Sequence, residues 1–155
     1  MAYVSLTIRD YSDELSNIRI PIDEVDPLVD DVTEIDDELT DLAAAINAVT
    51  LGNIARQSVT VFETAPNDAR PASPWAQRET GLRIYYQTTG DPVRKGTVTV
   101  PAPNLDALTI PGGTDEVTLA DSGVMAALVS ALETHMEVDG QAVAITKAVV
   151  VGRNS

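Results

Sequence analysis

The 155-residue sequence contains no cysteine, one histidine, one tryptophan and one phenylalanine. Without cysteine the chain forms no disulfide and offers no thiolate for a metal ion or for nucleophilic catalysis. Aromatic residues make up 4% of the chain, so we expect a core built from Val, Ile, Leu and Ala. No apolar run approaches the roughly 18 residues of a membrane-spanning helix. The N-terminal segment lacks the basic and apolar regions of a secretory signal. We therefore expect no membrane partner.

Positive charge is also scarce, because ten Lys and Arg residues stand against 24 Asp and Glu residues and give a net charge of −14. Since phosphate binding requires cations on the contact surface, this balance argues against sequence-specific nucleic-acid binding. The apolar fraction of 44% is typical of a globular chain. No linker divides the sequence, so we expect one domain over residues 1–155. An acidic soluble binding module of a halophile also fits this composition and stays open as an alternative.

Ten of the carboxylates fall within residues 20–55, a segment without Lys or Arg. Apolar residues recur there every three or four positions from Leu28 to Val49, which predicts an amphipathic helix. Asp26 suits the N-cap of this helix and Pro27 suits its first position. Opposite the apolar stripe lies a predicted acidic face, which consists of Asp30, Glu34, Asp37, Glu38 and Asp41.

The acidic face is poorly shaped for a metal ion. A Ca²⁺ loop needs a glycine at its sharp turn, whereas these carboxylates diverge around a helix. Like-charged neighbours four positions apart each cost a few tenths of a kcal/mol, so about that much per pair has to be offset by packing or by a cationic neighbour. We expect no metal and no cofactor. The acidic face is either solvated or a docking surface.

No pattern typical of catalysis is present, and we expect no enzyme. The single histidine, His135, lacks the G-x-S-x-G context of a nucleophile elbow, and Ser130 lies on a different helix face. We interpret His135 as an incidental surface residue. Gly112-Gly113 indicates a turn, and no phosphate-binding loop or dinucleotide-binding motif occurs.

Alternating apolar residues predict six strands, which cover residues 3–9, 18–22, 54–62, 82–86, 98–100 and 143–151. Pro21 places the second strand at a sheet edge or ends it. The last strand is apolar on both faces near its end, which indicates a central position. A second helix, capped by Asp121 or Thr118, extends to Met136 and ends at Asp139-Gly140. The predicted order is β-β-α-β-β-β-α-β, an α+β fold with a mainly antiparallel sheet or sandwich and two covering helices.

Three prolines, at positions 66, 71 and 74, predict an extended Pro-rich loop at about 63–80. Trp75 in this loop is typical of an anchor that binds a pocket on another subunit, although folding back onto its own core is equally compatible with the sequence. Residues 78–95 carry four cations against two acids, Glu79 and Asp91, and form a basic counterpart to the acidic helix. Contact between the two in neighbouring copies would build a head-to-tail ring. The candidate subunit-contact residues are Trp75, Arg70, Arg78, Arg83, Arg94 and Lys95.

Three segments carry a family resemblance: AYVSLTIRDYSDELSNIRIPI at the start, PWAQRETGLRIYY followed by VTVPAPNLDAL, and VVVGRNS at the end. With these the chain resembles small bacteriophage virion structural proteins of tail tubes and capsid surfaces. The resemblance implies a β-rich, self-assembling subunit, located in the virion after assembly in the host cytoplasm. Its implied partners are copies of itself and other phage structural proteins. A tail-tube ring subunit is favoured slightly over a capsid-decorating (cement) protein, although two helices are one more than the commonest tube subunit has.

Overall fold

The structure of the chain is a computed structural model that describes residues 2–9, 15–22, 36–61, 80–120, 123–138 and 140–152. Within these ranges the chain forms two helices, α1 (Asp36–Val49) and α2 (Gly123–His135). A short 3-10 helix covers Leu105–Ala107. The strands are β1 (Ala2–Arg9), β2 (Leu15–Pro21), β3 (Asn53–Val61), β4 (Gly81–Thr88), β5 (Lys95–Pro101), β6 (Glu116–Val117), β7 (Glu137–Val138) and β8 (Gln141–Val151).

The first three strands form an antiparallel sheet in the order β2-β1-β3. The first two predicted strands are confirmed, and β1 pairs antiparallel with β2 from Tyr3↔Pro21 to Arg9↔Leu15. Pro21 is the last residue of an edge strand, a position where proline is tolerated in a sheet. The register between β1 and β3 shifts between Thr7 and Ile8.

The remaining strands form a second antiparallel sheet in the order β5-β4-β8-β6, with β7 also paired to β8. The predicted central position of the last strand is confirmed, because β8 lies between β4 and β6. The two sheets approach each other where β2 contacts β5. The predicted α+β class, with mainly antiparallel sheets and two helices, is therefore confirmed, and the two-residue strands β6 and β7 are additions to the predicted order.

One cluster of buried side chains joins both sheets and both helices. Leu6 of β1, Leu42 of α1, Ile84 of β4 and Leu128 of α2 each have 0% exposure within it. Burying a side chain of this size stabilises the fold by about 1.5–3 kcal/mol. The expectation of a mainly aliphatic core is confirmed, whereas the extent of the domain over residues 1–155 stays a prediction.

The strand β1 is more buried than its alternation predicts. Val4, Leu6 and Ile8 face the core as expected, but Tyr3 and Thr7 on the other face are buried as well. The Thr7 hydroxyl donates to Asn17 Oδ1 at 2.8 Å, which satisfies this buried polar group across the hairpin.

The predicted C-terminal ends of the two helices agree with the structure to different degrees. Helix α1 ends at Val49 as predicted, while its predicted start near Asp26 lies outside the described residues. The predicted end of the second helix at Asp139-Gly140 is wrong, since α2 ends at His135. Residues of β7 pair with β8 instead, and Gly140 has a φ of +72° in the connecting hairpin. An Asp-Gly pair is a hairpin-turn signal as well as a helix stop.

The junction between α1 and β3 is fixed to the end of β5. Thr50 is buried, and its hydroxyl donates to the Pro101 carbonyl at 2.7 Å while accepting from the amide of Gly52 at 3.2 Å. The amide of Asn104 donates to the Val49 carbonyl at 2.8 Å and so satisfies one of the free carbonyls at the helix end. These bonds set the position of α1 relative to the second sheet.

Candidate subunit-contact surfaces

Helices α1 and α2 pack against each other and leave a solvent-open groove of about 510 Å³ between them. We call it the helix groove. Its lining includes Ala44 and Ala48 of α1 and Gly123 and Ala127 of α2, all exposed to solvent. Ala44 and Ala48 lie four positions apart and so share one helix face, which borders the core stripe of α1 at Ala45. The result is a concave surface without long side chains along its middle.

One end of the helix groove is marked by a polar contact between the two helices. His135 Nε2 lies 3.1 Å from Asp41 Oδ2, and the side chains are 14% and 65% exposed. His135, interpreted from the sequence as an incidental surface residue, is thus half-buried and contacts α1, whereas its lack of a catalytic role stays a prediction. No sequence pattern indicates this contact, because the two residues lie 94 positions apart and only helix packing brings them together.

The helix pair carries charge of one sign. The sequence of α1 contains Asp36, Asp37, Glu38 and Asp41, that of α2 contains Glu133, and neither contains Lys or Arg. Asp41 is the member of the predicted acidic face whose side chain is described, and it is exposed. Asp37 and Glu38 belong to α1, while Asp30 and Glu34 lie outside the described residues. Glu133 accepts a hydrogen bond from the Ile145 amide at 3.0 Å, which joins α2 to β8.

The second sheet presents the opposite charge on its outer side. Leu82, Ile84 and Tyr86 of β4 face the core, so Arg83, Tyr85 and Gln87 face away from it. The register adds Lys147 beside Tyr85 and Lys95 beside Gln87. Lys147 Nζ lies 4.8 Å from the centre of the Tyr85 ring, within cation–π distance. Strands β4, β5 and β8 contain no Asp or Glu. We call this surface the basic sheet face.

The turn between β4 and β5, residues 89–94, projects from this sheet and is held in place from two sides. The Gly90 amide donates to Gln141 Oε1 at 2.9 Å, and Gln141 Nε2 donates to the Pro92 carbonyl at 3.2 Å. The amide of Arg94 donates to the Thr88 hydroxyl at 2.7 Å. Val93 within the turn is 54% exposed, one of the few large apolar side chains that face solvent in the described ranges. A braced turn thus displays an apolar side chain.

The structure brings together half of the predicted subunit-contact residues. Arg83, Arg94 and Lys95 lie on the β4–β5 hairpin, with Lys95 at the first position of β5. Arg70, Trp75 and Arg78 lie outside the described residues, as does most of the predicted Pro-rich loop. Lys147 and Gln141 were not predicted, because β8 is distant in sequence and reaches this site only through the sheet order.

Comparison with known proteins adds no assignment: no family model matches the chain, and no curated protein or solved structure matches it. Neither described helix is long and apolar enough to cross a membrane. Across the part of the chain that the structure describes, no group of three or more His, Asp and Glu side chains is placed to hold a metal ion.

Proposed function

We propose that this chain is a non-enzymatic, self-associating structural subunit of a bacteriophage particle, and that it forms a ring of the tail tube. The observation that carries the proposal is the pair of oppositely charged outer surfaces, the acidic helix pair and the basic sheet face. The exposed Asp41 of the helix pair and the cations of β4 and β8 lie on different surfaces around one core. Contact between copies brings them together, and a heterologous contact of this kind generates a ring when its rotation closes and a filament when it does not.

The overall charge supports a place around a channel for DNA. A tube that conducts DNA gains from a lumen that does not bind phosphates, and phosphate binding depends on Lys and Arg. With a net charge of −14, the chain is able to present carboxylates to a lumen and still use its few cations at subunit contacts. The resemblance of its strand segments to virion structural proteins points to the same class.

Negative-stain electron microscopy of the purified chain tests this proposal. We expect rings, or stacks of rings, that become more abundant as protein concentration increases. Single subunits at every concentration would contradict self-association and would favour the soluble binding module of a halophile.

Capsid decoration is the second candidate, and the presence of both α1 and α2 favours it, since the commonest tube subunit has one helix. The two roles differ in what they need for assembly. A decorating protein binds a capsid lattice that lacks it and forms no tubes alone, whereas a tube subunit stacks without a capsid. Incubation of the chain with undecorated capsids, followed by sedimentation, separates these roles.

A further inference from the structure

We propose that the β4–β5 turn of one copy binds in the helix groove of the next copy. The inference rests on the proposed self-association and names the two surfaces that form the contact. It is carried by three observations: the braced turn with its exposed apolar residue, the groove lined by small side chains, and the opposite charges beside them.

The turn is already in a form suited to binding. Gln141 fixes it through Gly90 and Pro92, and the bonds between Thr88 and Arg94 close its base. A Cβ added at Gly90 would lie 2.6 Å from Gln141 Oε1, so the close approach of this brace depends on glycine. A turn ordered before binding loses little conformational entropy when it docks. Val93 is therefore presented at a fixed place on the surface, as an anchor residue is.

The helix groove offers a matching receptor. Ala44, Ala48 and Ala127 are exposed on neighbouring helices, where long Glu or Lys side chains are usual on a solvated face. Small residues let another backbone approach closely and leave room for one branched apolar side chain. A groove of about 510 Å³ accommodates a turn that carries Val93.

Charge decides which surface of the second copy occupies the groove. Two grooves facing each other would bring together two Asp41 carboxylates on helices that contain no Lys or Arg, which like-charge repulsion opposes. The β4–β5 turn brings Arg94 and Lys95, which outnumber Asp91 of the same turn, beside Val93, with Arg83 further along the hairpin. Asp41 at the end of the groove is an exposed partner for one of these cations. The contact is heterologous and thus builds a ring or a filament.

Cysteine cross-linking between two single variants tests the contact, because the natural chain contains no cysteine. Val93→Cys is mixed with Ala48→Cys under mild oxidation. Because each variant has a single cysteine, every disulfide joins two copies, and a size tag on one variant identifies the mixed dimer. The control reaction replaces Val93→Cys with Leu15→Cys, at a residue that is comparably exposed. We expect the mixed dimer of Val93→Cys and Ala48→Cys to form on the order of tenfold faster than the control dimer. Circular dichroism of each variant confirms that it is folded.

The outcomes separate this contact from the proposed function. Faster mixed cross-linking supports both. Self-association without a preference for Val93→Cys over the control retains the proposed function and overturns this contact. Dimers of Ala48→Cys alone that form fastest show two grooves facing each other and also overturn it. A chain that stays monomeric overturns both.

Charge reversal gives a second, independent measurement. Lys95→Glu and Asp41→Lys each place like charges at the contact, so each variant alone is expected to lose association relative to the natural chain. Mixing the two variants recreates opposite charges at one contact and is expected to restore association. Asp41→Asn serves as the control for the lost contact with His135. Failure of the mixture to associate better than either variant alone contradicts the contact.

Discussion

The helix pair and the second sheet differ on the outside far more than on the inside. Towards the core both supply aliphatic side chains, such as Leu42 and Leu128 from the helices and Ile84 and Val100 from the sheet. Towards solvent the helices present alanines and carboxylates, whereas β4, β5 and β8 present cations around Tyr85. Folding constrains the core-facing positions, so both regions have aliphatic side chains there. The solvent-facing positions are free of that constraint, so the difference in charge between the two regions indicates that they contact partners.

The largest effect is expected where the two regions share their core. Leu128→Ala removes a side chain with 0% exposure from the contact of α2 with the remaining cluster. We expect a loss of about 3 kcal/mol in the free energy of unfolding, from lost burial and from the cavity left behind. Urea denaturation measures it. The matched control Leu15→Ala, at a residue 53% exposed, is expected to change stability by less than about 0.5 kcal/mol. Equal losses in both variants would contradict the assigned core.

The next effect concerns the bond that positions α1 against the second sheet. Thr50→Val keeps the shape of the side chain but leaves the Pro101 carbonyl and the Gly52 amide without their partner. We expect a loss of about 1–3 kcal/mol, the cost of unsatisfied buried polar groups. Thr134→Val is the control, since its hydroxyl binds the Ser130 carbonyl on an exposed helix surface. Thermal unfolding compares the two, and a control as destabilised as Thr50→Val would show that burial at the junction is not the cause.

A smaller effect is expected at the β4–β5 turn. Gln141→Ala removes both side-chain bonds that brace Gly90 and Pro92. The turn is exposed, so we expect a loss of only about 1 kcal/mol in global stability together with faster amide hydrogen exchange at Gly90. Gln87→Ala, on the half-buried outer side of β4, is the control. Unchanged exchange at Gly90 in Gln141→Ala would mean that the turn does not depend on this brace.

The smallest effect is expected at the polar contact between the helices. Asp41→Asn keeps the size of the side chain and removes its charge from the contact with His135. Because Asp41 is 65% exposed, solvent and salt screen the interaction, and we expect a change below about 0.5 kcal/mol. A double-mutant cycle with His135→Ala measures it. A coupling several times larger would show that the contact contributes to helix packing, and the acidic surface would then have a structural role.

Much of the fold follows from local patterns in the sequence. The alternation in β1 and β2 and the stop of α1 at Val49 depend on neighbours in the chain, so periodicity and turn residues predict them. The end of α2 was not predictable in this way, because the pairing of β7 with β8 competes with another helical turn. The burial of Tyr3 and Thr7 likewise depends on the surroundings of β1 and not on its own pattern.

The candidate contact surfaces were predictable only in part. The acidic and basic segments are visible as charge runs, and Arg83, Arg94 and Lys95 follow from them. The helix groove cannot be predicted from sequence patterns, because it lies between two helices that are distant in the chain and meet only through the shared core. The brace by Gln141 and the position of Lys147 beside Tyr85 depend on the sheet register for the same reason.

Sedimentation velocity of the purified chain at increasing concentration tests the central claim most directly, namely that oppositely charged surfaces join copies of this subunit. At low ionic strength we expect the sedimentation coefficient to rise with concentration. About 1 M salt, which shortens the screening length to about 3 Å, is expected to lower it again. A sedimentation coefficient that stays at the single-subunit value across all concentrations and both salt conditions would contradict the account.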